Sequence, residues 1–343
     1  MTTERRVRLH FADDASGEFI VQPGQTVLEA GLLAGLPLLY QCQSGSCGSC
    51  LATLLAGEVA NCGGAGSTLL PSELASGARL LCQSEAATDC VFALSYSSAA
   101  GQSTVQRAYA LVNAIDAVSL DVVRLSLELA EDYWFDFRPG QYLRLRVPGT
   151  DAWRSYSPSS TTHTLPQIEL MVRLIDGGLM SSWLTREGRV DDVLELEGAF
   201  GQFFLREKKR APHIFLAGGT GLAPVLAMLE SLRRQGGLKP PLLVCFGCRS
   251  EASLFGTEQL ALYQQWLPTL EVRIAVDEAP APGRLAGTPL STLSAADFAH
   301  PDAVTYVCGP PAMVDAAQIL LGSWGVNPLR IHSEQFAPSA AGQ

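Results

Sequence analysis

The sequence predicts a multidomain chain: a small mixed α/β domain rich in cysteine, an antiparallel β-barrel domain, and an α/β domain built on a parallel sheet. Three observations predict it. Cys42, Cys47, Cys50, Cys62 and Cys82 crowd into one short stretch near the N-terminus. The middle of the chain carries short alternating apolar runs with turn residues between them, the pattern of an antiparallel barrel or sandwich. From His213 onward strand-like runs alternate with helical ones, which implies parallel strands joined by crossover helices.

Length and composition agree with this organisation. The chain has 343 residues, enough for two or three domains of about 100 to 150 residues, and its 47% hydrophobic and 17% charged content supports buried cores. A net charge of -10 argues against nucleic acid as a partner. The first hundred residues hold nine acids against four arginines and no lysine, a balance that suits either an acidic docking face or plain solubility. Met1 to Phe11 is polar and no apolar run approaches the roughly 18 residues of a membrane span. A monomeric cytoplasmic protein with no membrane contact is expected.

In residues 1–98, Arg6 to Phe11 and Glu18 to Val21 alternate like a hairpin, and Thr26 to Leu33 has helical periodicity. Cys50 to Ala60 reads as a strand, Pro71 to Ala75 as a short helix, and Arg79 to Cys82 and Cys90 to Leu94 as late strands. The small polar stretch from Ser95 to Thr104 has linker composition, which places a linker at 99–106. Residues 107–209 form the barrel, with Val122 to Leu129, Tyr142 to Val147, Ile168 to Leu174 and Val193 to Leu196 among its strands. Residues 210–343 form the parallel domain, with strands at His213 to Ala217, Pro241 to Phe246, Val272 to Val276 and Ala303 to Val307, and helices at Pro224 to Arg234 and Ala312 to Leu321.

Cys42, Cys47 and Cys50 give Cys-x4-Cys-x2-Cys, and Cys82 follows as a distant fourth. That is the plant-type spacing for a 2Fe-2S cluster. The intervening Gln43-Ser44-Gly45-Ser46 and Gly48-Ser49 let the loop wrap closely and aim amides at the cluster sulfurs. Zinc is the competing metal, but its structural sites take paired Cys-x2-Cys or Cys/His knuckles, and no histidine lies near the loop. Cys62 and Cys90 fall outside the spacing and suit buried packing. This segment resembles plant-type ferredoxins, which implies a β-grasp fold with the cluster near one surface.

Within the barrel segment, Arg154 offers a fork for a pyrophosphate, the Tyr156 ring can stack on an isoalloxazine, and the Ser157 hydroxyl can bond near the reactive flavin nitrogen. Downstream, Val172 and Arg173 lead to Gly178, Met180 and Ser181, where a glycine turn runs into a helix whose start presents amides to a phosphate. With Gly198 to Phe203, these motifs resemble the FAD domain of the ferredoxin-NADP reductase superfamily. The resemblance implies that Arg154, Tyr156, Ser157 and Ser160 of the Arg-x-Tyr-Ser-x-x-Ser sequence bind FAD, and that the later turn meets its pyrophosphate. Ala199 stands where these reductases often have Pro.

Gly218, Gly219, Thr220, Gly221 and Pro224 form a glycine-rich turn between a strand and a helix, suited to a nucleotide pyrophosphate. A second turn, Cys308-Gly309-Pro310, follows a later strand. The resemblance puts this element beside the nicotinamide and makes Cys308 a lining residue of the hydride-transfer site. It also implies that Glu334 and Phe336, in Ile331 to Phe336, lie near the flavin, while His332 reads as a surface residue. Cys245 and Cys248 read as packing. After the strand ending at Phe246, Arg249 suits a 2′-phosphate and Glu251 repels one, with no lysine nearby. NADH is therefore expected as donor, with NADPH as the alternative.

Taken in order, the three motif sets resemble the reductase components of bacterial aromatic-ring hydroxylating oxygenases, such as the benzoate dioxygenase reductases. The resemblance implies electron transfer from NADH through FAD to the 2Fe-2S cluster and on to a terminal oxygenase. Alternatives are a reductase of the same build serving another acceptor, such as a sugar deoxygenation enzyme, and a redox-sensing interaction protein.

Overall fold

Val7 and Leu9 alternate with Arg6 and Arg8, so β1 (Arg5–His10) turns one face to a core and the other to water. The protein was analysed as a computed structural model that describes residues 4–40, 45, 48–61, 69, 74–101, 106–131, 133–201, 203–206 and 211–336. The chain divides into two compact units between Thr104 and Val105.

In the first unit, β1 pairs antiparallel with β2 (Ser16–Val21) and is followed by α1 (Val27–Leu33). Thr26 and Glu29 close a capping box on α1: the Glu29 amide donates to Thr26 Oγ1 at 3.2 Å and the Thr26 amide to Glu29 at 3.0 Å. There follow β3 (Leu51–Ala56), β4 (Val59–Asn61), β5 (Ala78–Leu80), β6 (Ser84–Ala86), β7 (Cys90–Ala93) and the short helix α2 (Ser98–Gly101). The main sheet runs β2-β1-β7-β3-β5, with β1 and β7 parallel, and β4 pairs with β6 in a separate ribbon. Phe19, Val27, Leu28, Leu80 and Phe92 fill its core.

Three local expectations are corrected here. The run from Cys50 to Ala60 breaks at Gly57, whose φ of 92° turns the chain between β3 and β4. The strand expected at Arg79 to Cys82 stops at Leu80, and Cys82 lies in a 3-10 turn, Leu81–Gln83, because its amide points at Cys50 Sγ and not along a ladder. The stretch expected to be linker begins with α2, where the Ser98 amide and hydroxyl both donate to Asp13. Pro71, Ser72 and Glu73 of the expected short helix, and Cys62, lie outside the described residues.

The second unit starts with a barrel of β8 (Gln106–Ala117), β9 (Val122–Leu129), β10 (Tyr142–Arg146), β11 (Trp153–Tyr156), β12 (Gln167–Arg173) and β13 (Val193–Phe200), with α3 (Leu179–Arg186) before β13. The strand order is β11-β10-β13-β8-β9-β12. Its two outer strands meet through a bridge between Pro158 and Leu170, reinforced by the Ser159 amide donating to the Glu169 carbonyl at 2.8 Å. The barrel thus closes at the residues that follow Tyr156. Leu125, Leu127, Leu143, Leu145, Leu170 and Leu196 fill its interior.

The remaining strands are β14 (His213–Gly218), β15 (Leu242–Ser250), β16 (Leu270–Glu278), β17 (Leu285–Ala286), β18 (Val304–Gly309) and β19 (Ile331–Gln335), with helices α4 (Leu222–Arg234), α5 (Thr257–Trp266) and α6 (Pro311–Ser323). All pair in parallel, in the order β17-β16-β15-β14-β18-β19. The chain leaves β14 toward β15 on one side and returns to β18 on the other, which opens a crevice at the carboxyl ends of β14 and β18. Barrel and sheet share one core, in which Val122, Met171 and Phe203 join Phe215, Leu226 and Tyr306. The Phe215 and Tyr306 rings stack at 5.0 Å. Among the described residues no helix is long and apolar enough to cross a membrane.

Candidate functional site

Register brings the two glycine turns of the parallel sheet together. Ala217 pairs with Cys308, so the Gly218 and Gly309 turns emerge side by side from β14 and β18. A Cβ on Gly221 would lie 2.1 Å from the Cys308 carbonyl oxygen, and one on Gly218 would lie 2.6 Å from Met313 Sδ. Only glycine lets the strands come this close. Helix α4 begins at Gly221 without a side-chain cap, which suits its first turn to a phosphate. Thr220 is half-buried on this turn, and Pro224 is buried within α4, where its ring packs and contributes no donor.

Cys308 is fully buried, and in the β18–β19 ladder it lies opposite Glu334. Burial, with the Glu334 carboxyl adding to it, pushes the Cys308 thiol well above its ordinary value, so it stays protonated. Desolvation pushes Glu334 up to about 8, while the Ser157 hydroxyl, donating to Glu334 Oε2 at 3.2 Å, pulls it down. Ser157 is itself buried at the barrel seam, and Gly201 and Tyr142 flank the same spot. The Phe336 amide donates to the Gly309 carbonyl at 2.8 Å, which ties the segment after β19 to the second turn. Ser157, Cys308, Glu334 and Phe336 therefore converge from the barrel seam, β18 and the chain beyond it.

The flavin motif lies along β11 and the seam. Tyr156 is half-buried with its ring against the barrel core, and burial raises its hydroxyl while Arg154 opposes the rise. Arg154 donates to the Trp153 carbonyl at 2.8 Å. Ser160 Oγ accepts the Glu169 amide at 2.9 Å and Ser181 Oγ accepts the Ile175 amide at 2.9 Å, which leaves each hydroxyl proton able to donate. Gly178 starts α3 without a side-chain cap. Val172 and Met180 point into the barrel core, so their contribution to a ligand is restricted to the backbone. Arg173 pairs with Asp121 at 3.3 Å. An edge strand with a cation, a half-exposed ring and an open helix start fits a flavin dinucleotide.

For the cluster, the Cys82 amide donates to Cys50 Sγ at 3.5 Å, and Gly45 and Gly48 hold left-handed φ of 84° and 68°. A sulfur already receiving an amide bond beside permissive glycines fits a cluster loop. Cys42 and Cys47 lie outside the described residues. Cys90 is buried and its thiol contacts the Glu58 and Thr88 carbonyls, as expected of a packing residue. Cys245 is buried and Cys248 half-buried, and burial pushes them up to about 11 and about 12.

Two residues have neighbours that the sequence pattern does not reveal. His332 is half-buried against the Tyr306 ring at 5.6 Å, because β19 lies beside β18. Arg249, expected at the nucleotide, has its Nε donating to Glu278 at 2.6 Å. Asp121, Tyr142, Met313 and Glu278 lie at these sites without a sequence signal. Each belongs to an ordinary strand, turn or helix pattern, and only cross-strand register could have found it.

Comparison with known proteins agrees with this geometry. Residues 11–87 match a 2Fe-2S iron-sulfur cluster binding domain, residues 109–205 an oxidoreductase FAD-binding domain, and residues 215–318 an oxidoreductase NAD-binding domain. The chain is 32% identical to the toluate 1,2-dioxygenase electron transfer component of Pseudomonas putida, covering 98% of this chain and 99% of that protein. It is 30% identical to the propane 2-monooxygenase reductase component of a Gordonia species, covering 94% and 95%. Among solved structures, a cytochrome P450 reductase from Amycolatopsis is 30% identical, covers 97% of this chain and 99% of its own, and superimposes with a TM-score of 0.71.

Proposed function

Because the chain belongs to the family of oxygenase electron-transfer components that carry a 2Fe-2S domain, an FAD-binding domain and an NAD-binding domain in one polypeptide, we propose that its electrons go to an oxygenase, of the aromatic-ring hydroxylating kind. The chain is an NAD(P)H-dependent flavin iron-sulfur oxidoreductase. When bound, FAD supplies the exchange between paired and single electrons that matches a hydride donor to a one-electron cluster.

The observation that carries the assignment of roles is the meeting of Ser157, Cys308 and Glu334 at the mouth of the crevice. The Gly218 to Gly221 turn holds the nicotinamide dinucleotide through backbone amides, and Arg154 with the Gly178 helix start holds the FAD pyrophosphate. Tyr156 supplies a ring for stacking. The Ser157 hydroxyl donates a hydrogen bond to Glu334 Oε2, and Glu334, raised to about 8, holds a proton at neutral pH that it can give up. Cys308, neutral and buried, gives the nicotinamide an uncharged wall. Phe336 closes the flavin side through its bond to Gly309. Cys42, Cys47, Cys50 and Cys82 are the cluster ligands in this reading.

NADH is the donor in this reading, since Glu251 and its acidic neighbours border the adenosine end of the crevice. The test is anaerobic stopped flow. NADH should reduce the flavin and then the cluster, and a purified ring-hydroxylating oxygenase encoded beside this chain should be reduced in turn. Fast cytochrome c reduction combined with no transfer to that oxygenase would sink the acceptor assignment.

A further inference from the structure

β15 and β16 carry their last residues past the glycine turn of β14. Gly247 pairs with Gly218, and Ser250 pairs with Glu278. Arg249 therefore stands two residues beyond the turn, roughly 6 to 7 Å along the strand, at the end of the second strand of the sheet. That position in a doubly wound sheet faces the adenosine ribose, where an acid favours a free 2′-hydroxyl and an arginine favours a 2′-phosphate. Both kinds of side chain are present, so the outcome depends on how they pair.

The Arg249 guanidinium donates to Glu278 Oε1 at 2.6 Å, an ion pair between strand ends 29 residues apart. Asp277 precedes Glu278 in the same strand. Glu251 accepts the Ala281 amide at 2.9 Å and pairs with Arg284 at 3.7 Å. Each of the two arginines is thus paired with a carboxylate, and Asp277 adds a further acid to the end of β16. We propose that Glu278 sets the cofactor preference of this enzyme by holding the Arg249 guanidinium that a 2′-phosphate requires. The proposal rests on the NADH reading given above and assigns it to a residue.

Arg249 and Glu278 are both exposed, with side chains 77% and 55% accessible. An exposed pair is weak enough for a phosphate to compete for the arginine, so Glu278 acts by raising the cost of that exchange and not by forbidding it. The bland alternative is a surface ion pair without influence on the nucleotide.

Calorimetric titration of the holoenzyme with 2′,5′-ADP and with 5′-AMP separates the two, in the parent, in Glu278→Gln and in the double variant Arg249→Ala/Glu278→Gln. Glu278→Gln should bind 2′,5′-ADP about tenfold more tightly and 5′-AMP within about twofold of the parent, and the gain should vanish in the double variant. Unchanged 2′,5′-ADP affinity in Glu278→Gln overturns the proposal, and so does a gain that survives loss of Arg249. Steady-state kcat/KM for NADH and NADPH gives the parent preference separately. A parent that prefers NADPH sinks the NADH reading, while the titrations still decide whether Glu278 controls the Arg249 fork.

Discussion

Ser157 and Glu334 are hydrogen-bonded at 3.2 Å although 177 residues separate them in the chain. One sits where the barrel closes and the other on the edge strand of the parallel sheet, so the bond spans the two folds at the crevice.

The pair gives a pH dependence with a defined sign. Glu334 is raised from an ordinary 4.5 to about 8 in the folded chain, so across that window the folded chain holds a proton that the unfolded chain has released. Its contribution to stability is full below the unfolded pKa, declines as pH rises and is lost once pH passes the folded pKa. Glu334→Gln cannot ionise. The Tm of the parent minus that of Glu334→Gln should fall between about pH 5 and pH 8 and level off above. A difference that stays constant across the range would show that Glu334 titrates normally.

Ser157→Ala removes the one bond that lowers the Glu334 pKa. Flavin reduction by NADH, followed by stopped flow, should slow by roughly ten- to a hundredfold at unchanged FAD content, and Ser157→Thr should restore most of the rate. Equal rates in the parent and the alanine variant would remove Ser157 from the proton path.

Cys82→Ala should yield a protein without iron or inorganic sulfide whose flavin is still reduced by NADH within about twofold of the parent rate. The expectation follows from separate cores, one in residues 1–104 and another beyond it. Retention of two irons per chain would show that Cys82 is not a ligand.

Arg154→Ala should release FAD more readily, with a Kd raised about tenfold or more, since a methyl group cannot replace a forked contact to phosphate. Fluorescence of FAD freed on dilution measures it. Matching release from both proteins would place the pyrophosphate elsewhere.

How much of this was legible in the sequence depended on range. The Arg154 to Ser160 motif, the glycine turn at Gly218 and the cysteine spacing are local, because a ring, a fork or a set of amides must come from neighbouring residues. The capping box at Thr26 and Glu29 is local too. Barrel closure between Pro158 and Leu170 was not legible, since it depends on which outer strands meet. Nor was the capture of Arg249 by Glu278, which needs the β15–β16 register. The turn at Cys82 escaped for a related reason: an amide directed at a sulfur has no signature in an apolar pattern.

Register also places two acids near the cluster ligand. β6 follows the Cys82 turn directly and pairs with β4, Ala60 opposite Glu85, while the Ala87 amide donates to the Glu58 carbonyl. Glu58 and Glu85 are thus diagonal neighbours on one ribbon. Reduction of the acceptor protein should slow as ionic strength rises, while NADH-to-flavin transfer stays level. An acceptor rate that holds or climbs with salt would leave docking to apolar contacts.

β19 carries a consequence for the order in which the protein is made. Every residue of the barrel seam and both glycine turns precede it in the chain, and Glu334 arrives only with this strand. A polypeptide synthesised through β18 already has the side chains proposed to hold FAD, yet it has no carboxyl to set beside Ser157. On the roles proposed above, an unfinished chain on the ribosome can collect its flavin before it can draw on NADH efficiently.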